Sequence, residues 1–126
     1  MPDRGSPLEL RIADRARRDI RGILSWTEKE FGKGAKLRYE ALLIQALGDI
    51  VADPDRPGSM ERPEIMAAGA RTYHLEFSRA RVKGPRVKAP RHFLLYRRRD
   101  EHTLEVARVV HDSRDLARHL PVDYRR

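Results

Sequence analysis

A chain of 126 residues supports one hydrophobic core and leaves too little apolar surface for a second. With 40% hydrophobic and 37% charged residues, no cysteine and no run of about 18 uncharged apolar residues, it excludes a disulfide scaffold, a thiolate metal centre and a membrane-spanning helix. The 27 Lys and Arg against 19 Asp and Glu leave a formal charge of +8, which steers the chain toward an acidic partner, nucleic acid or protein.

Residues 1–7 read as a flexible leader rich in Pro, Gly and Asp, without the apolar stretch of a secretory signal, so the expected site of action is cytoplasmic. Leu8, Leu10 and Ile12 then alternate with Glu9 and Arg11, the period of two that a half-buried strand needs. From Asp14 the period changes. Ala16, Ile20, Ile23, Leu24, Thr27 and Phe31 fall on one stripe, which predicts a helix to Phe31 that Gly32-Lys33-Gly34 breaks. A second stripe of Ala35, Tyr39, Leu42, Leu43, Ala46 and Ile50 predicts a helix that stops before Pro54, because proline disfavours helical geometry in the residue preceding it. Ile44, Leu47 and Val51 lie beside that stripe, so this helix is apolar over more than one face and leaves an arc for the sheet or for a partner helix.

Residues 53–69, with three prolines and two glycines, predict a surface loop. Three β-rich stretches follow, 71–77, 92–97 and 104–110. Between the first two, residues 78–91 carry Arg79, Arg81, Lys83, Arg86, Lys88 and Arg91 with Gly84, Pro85 and Pro90, which predicts an exposed, mobile basic hairpin loop. Arg98-Arg99-Asp100-Glu101-His102 suits a short hairpin turn, and 114–119 a final short helix ending at Pro121. The simplest assembly is α+β: an antiparallel four-stranded sheet in the order β-α-α-β-β-β, an N-terminal helical hairpin packed on one face, and a short C-terminal helix. One domain spans 8–120, with 121–126 as a tail.

Val106-Ala107-Arg108-Val109-Val110-His111-Asp112-Ser113-Arg114-Asp115 resembles the closing strand of the RelE/ParE superfamily of type II toxins, where a hydrophobic strand with an embedded Arg runs into a His and a polar pair. Ala35, Tyr39 and Leu42, then Pro57-Gly58, Gly69-Ala70-Arg71 and Pro90-Arg91-His92-Phe93-Leu94-Leu95-Tyr96-Arg97 resemble ParE-like members in the same order. The loop 78–91 departs from the compact members in being longer and more basic. The resemblance implies the toxin of a toxin-antitoxin pair, without cofactor, neutralised by a ParD-like antitoxin. It implies either of two targets: DNA gyrase, inhibited by binding, or messenger RNA, cut on the ribosome as RelE-like toxins do.

Cutting RNA through its 2′-hydroxyl requires a base, cations on the phosphate and an acid for the leaving oxygen, all within hydrogen-bond reach. The candidates are His111 as acid, Arg108 and Arg71 on phosphate, and Glu76 as base if strands 71–77 and 104–110 are neighbours. Against that stand plainer readings: His111 as a strand-end hydrogen-bonding group, and Arg108 as the partner of a carboxylate beneath the helical hairpin, since its alternation with Leu104, Val106 and Val110 puts it among apolar neighbours. A gyrase inhibitor needs only a gripping surface, and Arg108, His111, Arg114, Asp115 and Arg118 are the expected target contacts. The antitoxin is expected on Ile44, Leu47, Val51, Trp26 and Arg91, although Trp26 also suits a core edge. Gly32-Lys33-Gly34-Ala35-Lys36 lacks the spacing of a phosphate loop, and no two of the five histidines have the i, i+4 spacing of a helical zinc motif, so no metal site is expected.

Overall fold

The computed structural model describes residues 8–126, so the leader expected at 1–7 lies outside the described residues. The elements are β1 (Glu9–Ile12), α1 (Asp14–Phe31), α2 (Lys33–Ala52), β2 (Ser59–Glu61), β3 (Arg71–His74), a 3-10 helix (Leu75–Arg81), β4 (His92–Arg98), β5 (Thr103–His111) and two 3-10 turns, Leu116–His119 and Val122–Tyr124. The class is α+β as expected. Gly32 alone separates the helices, at φ 91°, a conformation that only glycine adopts without strain. The Lys36–Glu28 ion pair, 3.1 Å, closes the resulting antiparallel hairpin.

The sheet has five strands in the order β1-β5-β4-β3-β2, and β1 runs parallel to β5, so the expected four-stranded antiparallel sheet is corrected on both counts. One missed element explains both. Each element reverses the direction of the one before it, and inserting β2 where a loop was expected adds one reversal between the first strand and the last. That turns an antiparallel pair into a parallel one. The stretch 59–61 carries no periodic signal because it is short and sits at the sheet edge, where Met60 and Glu61 remain exposed. The strand expected over 71–77 stops at His74, whose Nδ1 accepts the Glu76 amide at 3.0 Å and caps the 3-10 helix.

The helical hairpin covers one face of the sheet, where Leu42, Leu43, Ala46 and Ile50 of α2 pack with Tyr73, Leu94, Tyr96, Leu104, Val106 and Val109. Leu95 and Ala107 face the other way and join Met66, Ala70, Leu120 and Tyr124 in a second cluster. Residues 121–126, expected as a tail, supply the fully buried Tyr124 of that cluster, and Met66 bridges to Arg125. The expected C-terminal helix is reduced to the 3-10 turn Leu116–His119. Phe31, placed on the first apolar stripe, is 66% exposed at the end of the helix, where the hairpin turns.

The basic loop is not the free hairpin its composition suggests. Arg79 donates to the Val87 carbonyl, Arg86 donates to Val82 O at 3.0 Å and Ala80 O at 2.9 Å, and Arg81 reaches Asp49 on α2 at 3.0 Å. Arginine forks here satisfy the backbone carbonyls that a stretch without ladder bonds leaves open.

Candidate functional site

The β4–β5 register skips Ala107: Leu95 opposes Arg108 while Tyr96 opposes Val106. This bulge breaks the alternation, so Val109, and not Arg108 or Val110, rejoins Leu104 and Val106 under the hairpin. The sequence placed Arg108 on the same side as Val106, and the bulge overturns that. Arg108 still finds a carboxylate beneath the hairpin. Its Nε and Nη2 donate to Asp19 of α1 at 2.8 and 3.2 Å, and Nη1 donates to His119 O at 3.1 Å. Asp19 also accepts the Val109 amide at 3.0 Å, an edge donor that β1 is too short to reach.

Around this clamp lies an open groove of about 830 Å³ between α1 and the end of β5. Arg15, Arg18, Gly22 and Trp26 line it from one face of α1, and His111, Arg114 and His119 from the other wall. Trp26 is 57% exposed, and its ring meets Phe31 edge-on at 5.6 Å, so it forms the groove's rim and not a core edge.

At one end of the groove, His92 and His111 face each other across β4 and β5, with ring centroids 5.1 Å apart. Tyr39 of α2 lies 2.5 Å from His92 Nδ1 and accepts the Arg91 amide at 3.2 Å. Burial pushes the Tyr39 hydroxyl up to about 12, so it keeps its proton and donates it to His92. Burial, reinforced by the neighbouring His111, lowers His92 to about 4 and keeps it neutral. His111 Nδ1 lies 3.1 Å from the Ser113 amide and 2.7 Å from its hydroxyl, which assigns the ring proton to Nε2. Asp112 takes His74 Nε2 at 3.0 Å and Arg91 at 2.9–3.0 Å. Burial raises the Asp112 carboxyl, but these hydrogen bonds outweigh it and hold the group below its ordinary value.

The other expected site residues are scattered. Arg71 pairs across to Tyr96, at the far end of β4 from His92, and its guanidinium is taken by Ser59, Glu61 and Asp55. Glu76 stands 57% exposed on the 3-10 helix, and β4 separates β3 from β5, so the condition for its role as base fails. Arg114, Asp115 and Arg118 are exposed just past β5, with Arg118 beside Asp115 at 3.5 Å. On α2, Ile44 is 64% exposed, whereas Leu47 and Val51 are partly buried against the core; Arg91 is exposed but bound to Asp112. Asp19, Tyr39 and His92 were not singled out as site residues from sequence. The aspartate reads as one charge among many on a solvated face, and only the pairing of distant segments gives it a role.

Described as the ParE toxin of the type II toxin-antitoxin system parDE, one family model matches residues 10–116. No curated protein matches the chain. Among solved structures, the toxin–antitoxin complex RelBE2 from Mycobacterium tuberculosis contains a chain that is similar at a TM-score of 0.50 and 25% identity, covering 87% of this chain and 97% of that one. With the family matched over nearly the whole of the domain, this chain belongs to the ParE toxins of type II toxin-antitoxin systems.

Proposed function

We propose that this toxin inhibits DNA gyrase by binding it, and that a cognate ParD-like antitoxin neutralises it in the cytoplasm. The observation that carries the reading is the dispersal of the nuclease set. Arg108 is spent on Asp19 and His119, Arg71 lies at the other end of the sheet, and Glu76 is on neither neighbouring strand. General acid–base cleavage requires those groups to converge, and a gripping surface does not. His111, Arg114, Asp115 and Arg118 supply exposed polar contacts for the target, with Arg108 as their internal brace.

The antitoxin is proposed because the RelBE2 neighbour is a toxin–antitoxin complex. An acidic, partly disordered chain that folds on binding fits the net charge and would cover Ile44, Trp26 and the rim near Arg91, with Leu47 and Val51 beneath. Supercoiling by purified gyrase, run beside ribosome-dependent mRNA cleavage, tests the reading. Inhibition of supercoiling without cleavage is expected; His111→Ala weakens the inhibition without abolishing it, while Arg114→Ala/Arg118→Ala loses it. Cleavage that His111→Ala abolishes would replace the gyrase reading with the endoribonuclease one.

A further inference from the structure

The side of α1 that faces the groove is unusual for an amphipathic helix. Arg15, Arg18, Gly22 and Trp26 follow one another at helical spacing, so they form a single strip on the wall opposite His111 and Arg114. Gly22 sits in the middle of an 18-residue helix, where glycine weakens the element relative to alanine. No close packing requires it, because a Cβ built there meets nothing within 4 Å. Gly22 therefore leaves open space in the floor of the groove, room enough for a ligand's backbone to approach the helix.

The charges around that floor are available. Asp19, the one acid lining the groove among the described residues, is occupied by the Arg108 fork and the Val109 amide, and touches Arg15 only at 3.7 Å. Arg18 and Arg114 have no ion pair among the described residues, and His111 offers Nε2–H once Ser113 holds Nδ1. Trp26, propped edge-on by Phe31, adds an exposed indole face at the rim. Guanidinium forks and an aromatic plate along an open groove are the elements that hold a single nucleic-acid strand, by phosphate pairing and base stacking. An acidic peptide would pair with the arginines, whereas a nucleic-acid strand also carries a base beside each phosphate to stack on the indole.

We infer that the groove between α1 and the end of β5 binds a nucleic-acid strand, with Arg15, Arg18 and Arg114 on its phosphates, Gly22 giving the backbone room and Trp26 stacking on a base. The inference adds a direct nucleic-acid contact that gyrase inhibition by itself does not require. It is tested by fluorescence anisotropy of the purified full-length chain with short labelled single-stranded DNA and RNA oligonucleotides, and with labelled poly-glutamate. Both oligonucleotides are expected to bind, with log affinity falling against log salt at a slope of about −2 for three phosphate contacts on a single strand. The Arg15→Ala/Arg18→Ala/Arg114→Ala variant should bind at least about tenfold more weakly, and Trp26→Ala about tenfold. A control of equal charge loss, Lys83→Ala/Lys88→Ala/Arg98→Ala, should stay within about twofold, since those side chains are exposed outside the groove. Gly22→Gln should unfold at the same or higher denaturant concentration and yet lose binding, a combination that a purely structural glycine cannot give.

No binding at low salt, equal losses in the two triple variants, unchanged binding by Gly22→Gln, or tighter binding of poly-glutamate than of either oligonucleotide would each overturn the inference. Supercoiling inhibition, measured on the same variants, separates it from the gyrase reading. Inhibition without oligonucleotide binding removes this inference alone, whereas binding without inhibition removes the gyrase reading and leaves the groove.

Discussion

Asp19 takes both arms of the Arg108 fork and the amide of the next residue, and each of the two side chains is 13% exposed. Removing one member of so enclosed a pair leaves the other desolvated and unpaired, so Asp19→Ala should lose about 3 kcal/mol in urea denaturation. Arg108→Met beside Asp19→Leu should recover most of that loss, because no charge then remains buried. If Arg108→Ala abolished toxicity with its unfolding midpoint unchanged, Arg108 would be a contact residue and the brace reading would fail. His92 gives a second residue-level expectation. Its folded value near 4 lies below the ordinary 6.5, so the unfolded chain takes up a proton that the folded chain refuses as pH falls through that window. Stability should therefore be full above about pH 6.5, decline by up to ~3 kcal/mol toward pH 4, and fall no further from this group below that. Asp49 and Asp112, held below 3.8 by hydrogen bonds that outweigh burial, extend the loss to more acid pH, as their carboxylates protonate. The His92→Asn variant should show a flatter midpoint between pH 6.5 and 4, and an unsloped wild type there would contradict the assignment.

At the level of elements, the helical hairpin was legible because two stripes of period 3.6 flank a glycine whose φ of 91° is the only break the chain needs. Lys33 and Gly34, which share the glycine-rich signal, are already in α2. Gly32→Ala should therefore destabilise by about 1 kcal/mol or more, and Gly34→Ala by less, as comparative thermal melts would show. The strand 71–77 was overdrawn because propensity sees β-formers and does not see His74 folding back on the Glu76 amide. The basic loop was misread for a related reason. Composition counts its arginines as solvated charge, whereas Asp49, 4% exposed on α2, accepts from Ser78 at 2.7 Å and Arg81 at 3.0 Å and pairs with Arg56 at 3.3 Å, drawing the 3-10 helix onto the hairpin.

Across the whole molecule, both faces of the sheet are covered, one by helices and the other by the β2–β3 connection together with residues that follow β5. Tyr124 is fully buried; its hydroxyl donates to Glu105 Oε1 at 3.0 Å, and the Arg97 guanidinium lies 4.4 Å from its ring centroid. Tyr124→Ala should cost about 3 kcal/mol, and a chain cut after Leu120 should be less stable still, since both bare the apolar side of Leu95 and Ala107. Truncation consequently removes core along with surface. The grip is better tested by point substitutions at Arg114 and Arg118, which leave the second cluster intact. If the truncated chain melted with the wild type, the reverse-face cluster would carry no stability.

The sequence alone determined what depends on local period and composition: one domain, two amphipathic helices, the β4–β5 hairpin, the α+β class, and the closing stretch that resembles a toxin strand. Tertiary structure decided the parallel pairing of β1 with β5, the bulge that turns Arg108 toward Asp19, the separation of Arg71 from His111, and the insertion of β4 between β3 and β5. Each of these joins segments far apart in the chain. Periodicity fixes which face of an element is apolar, but the neighbour an edge acquires depends on how many times the chain reverses direction, and a three-residue strand is too short to announce one reversal.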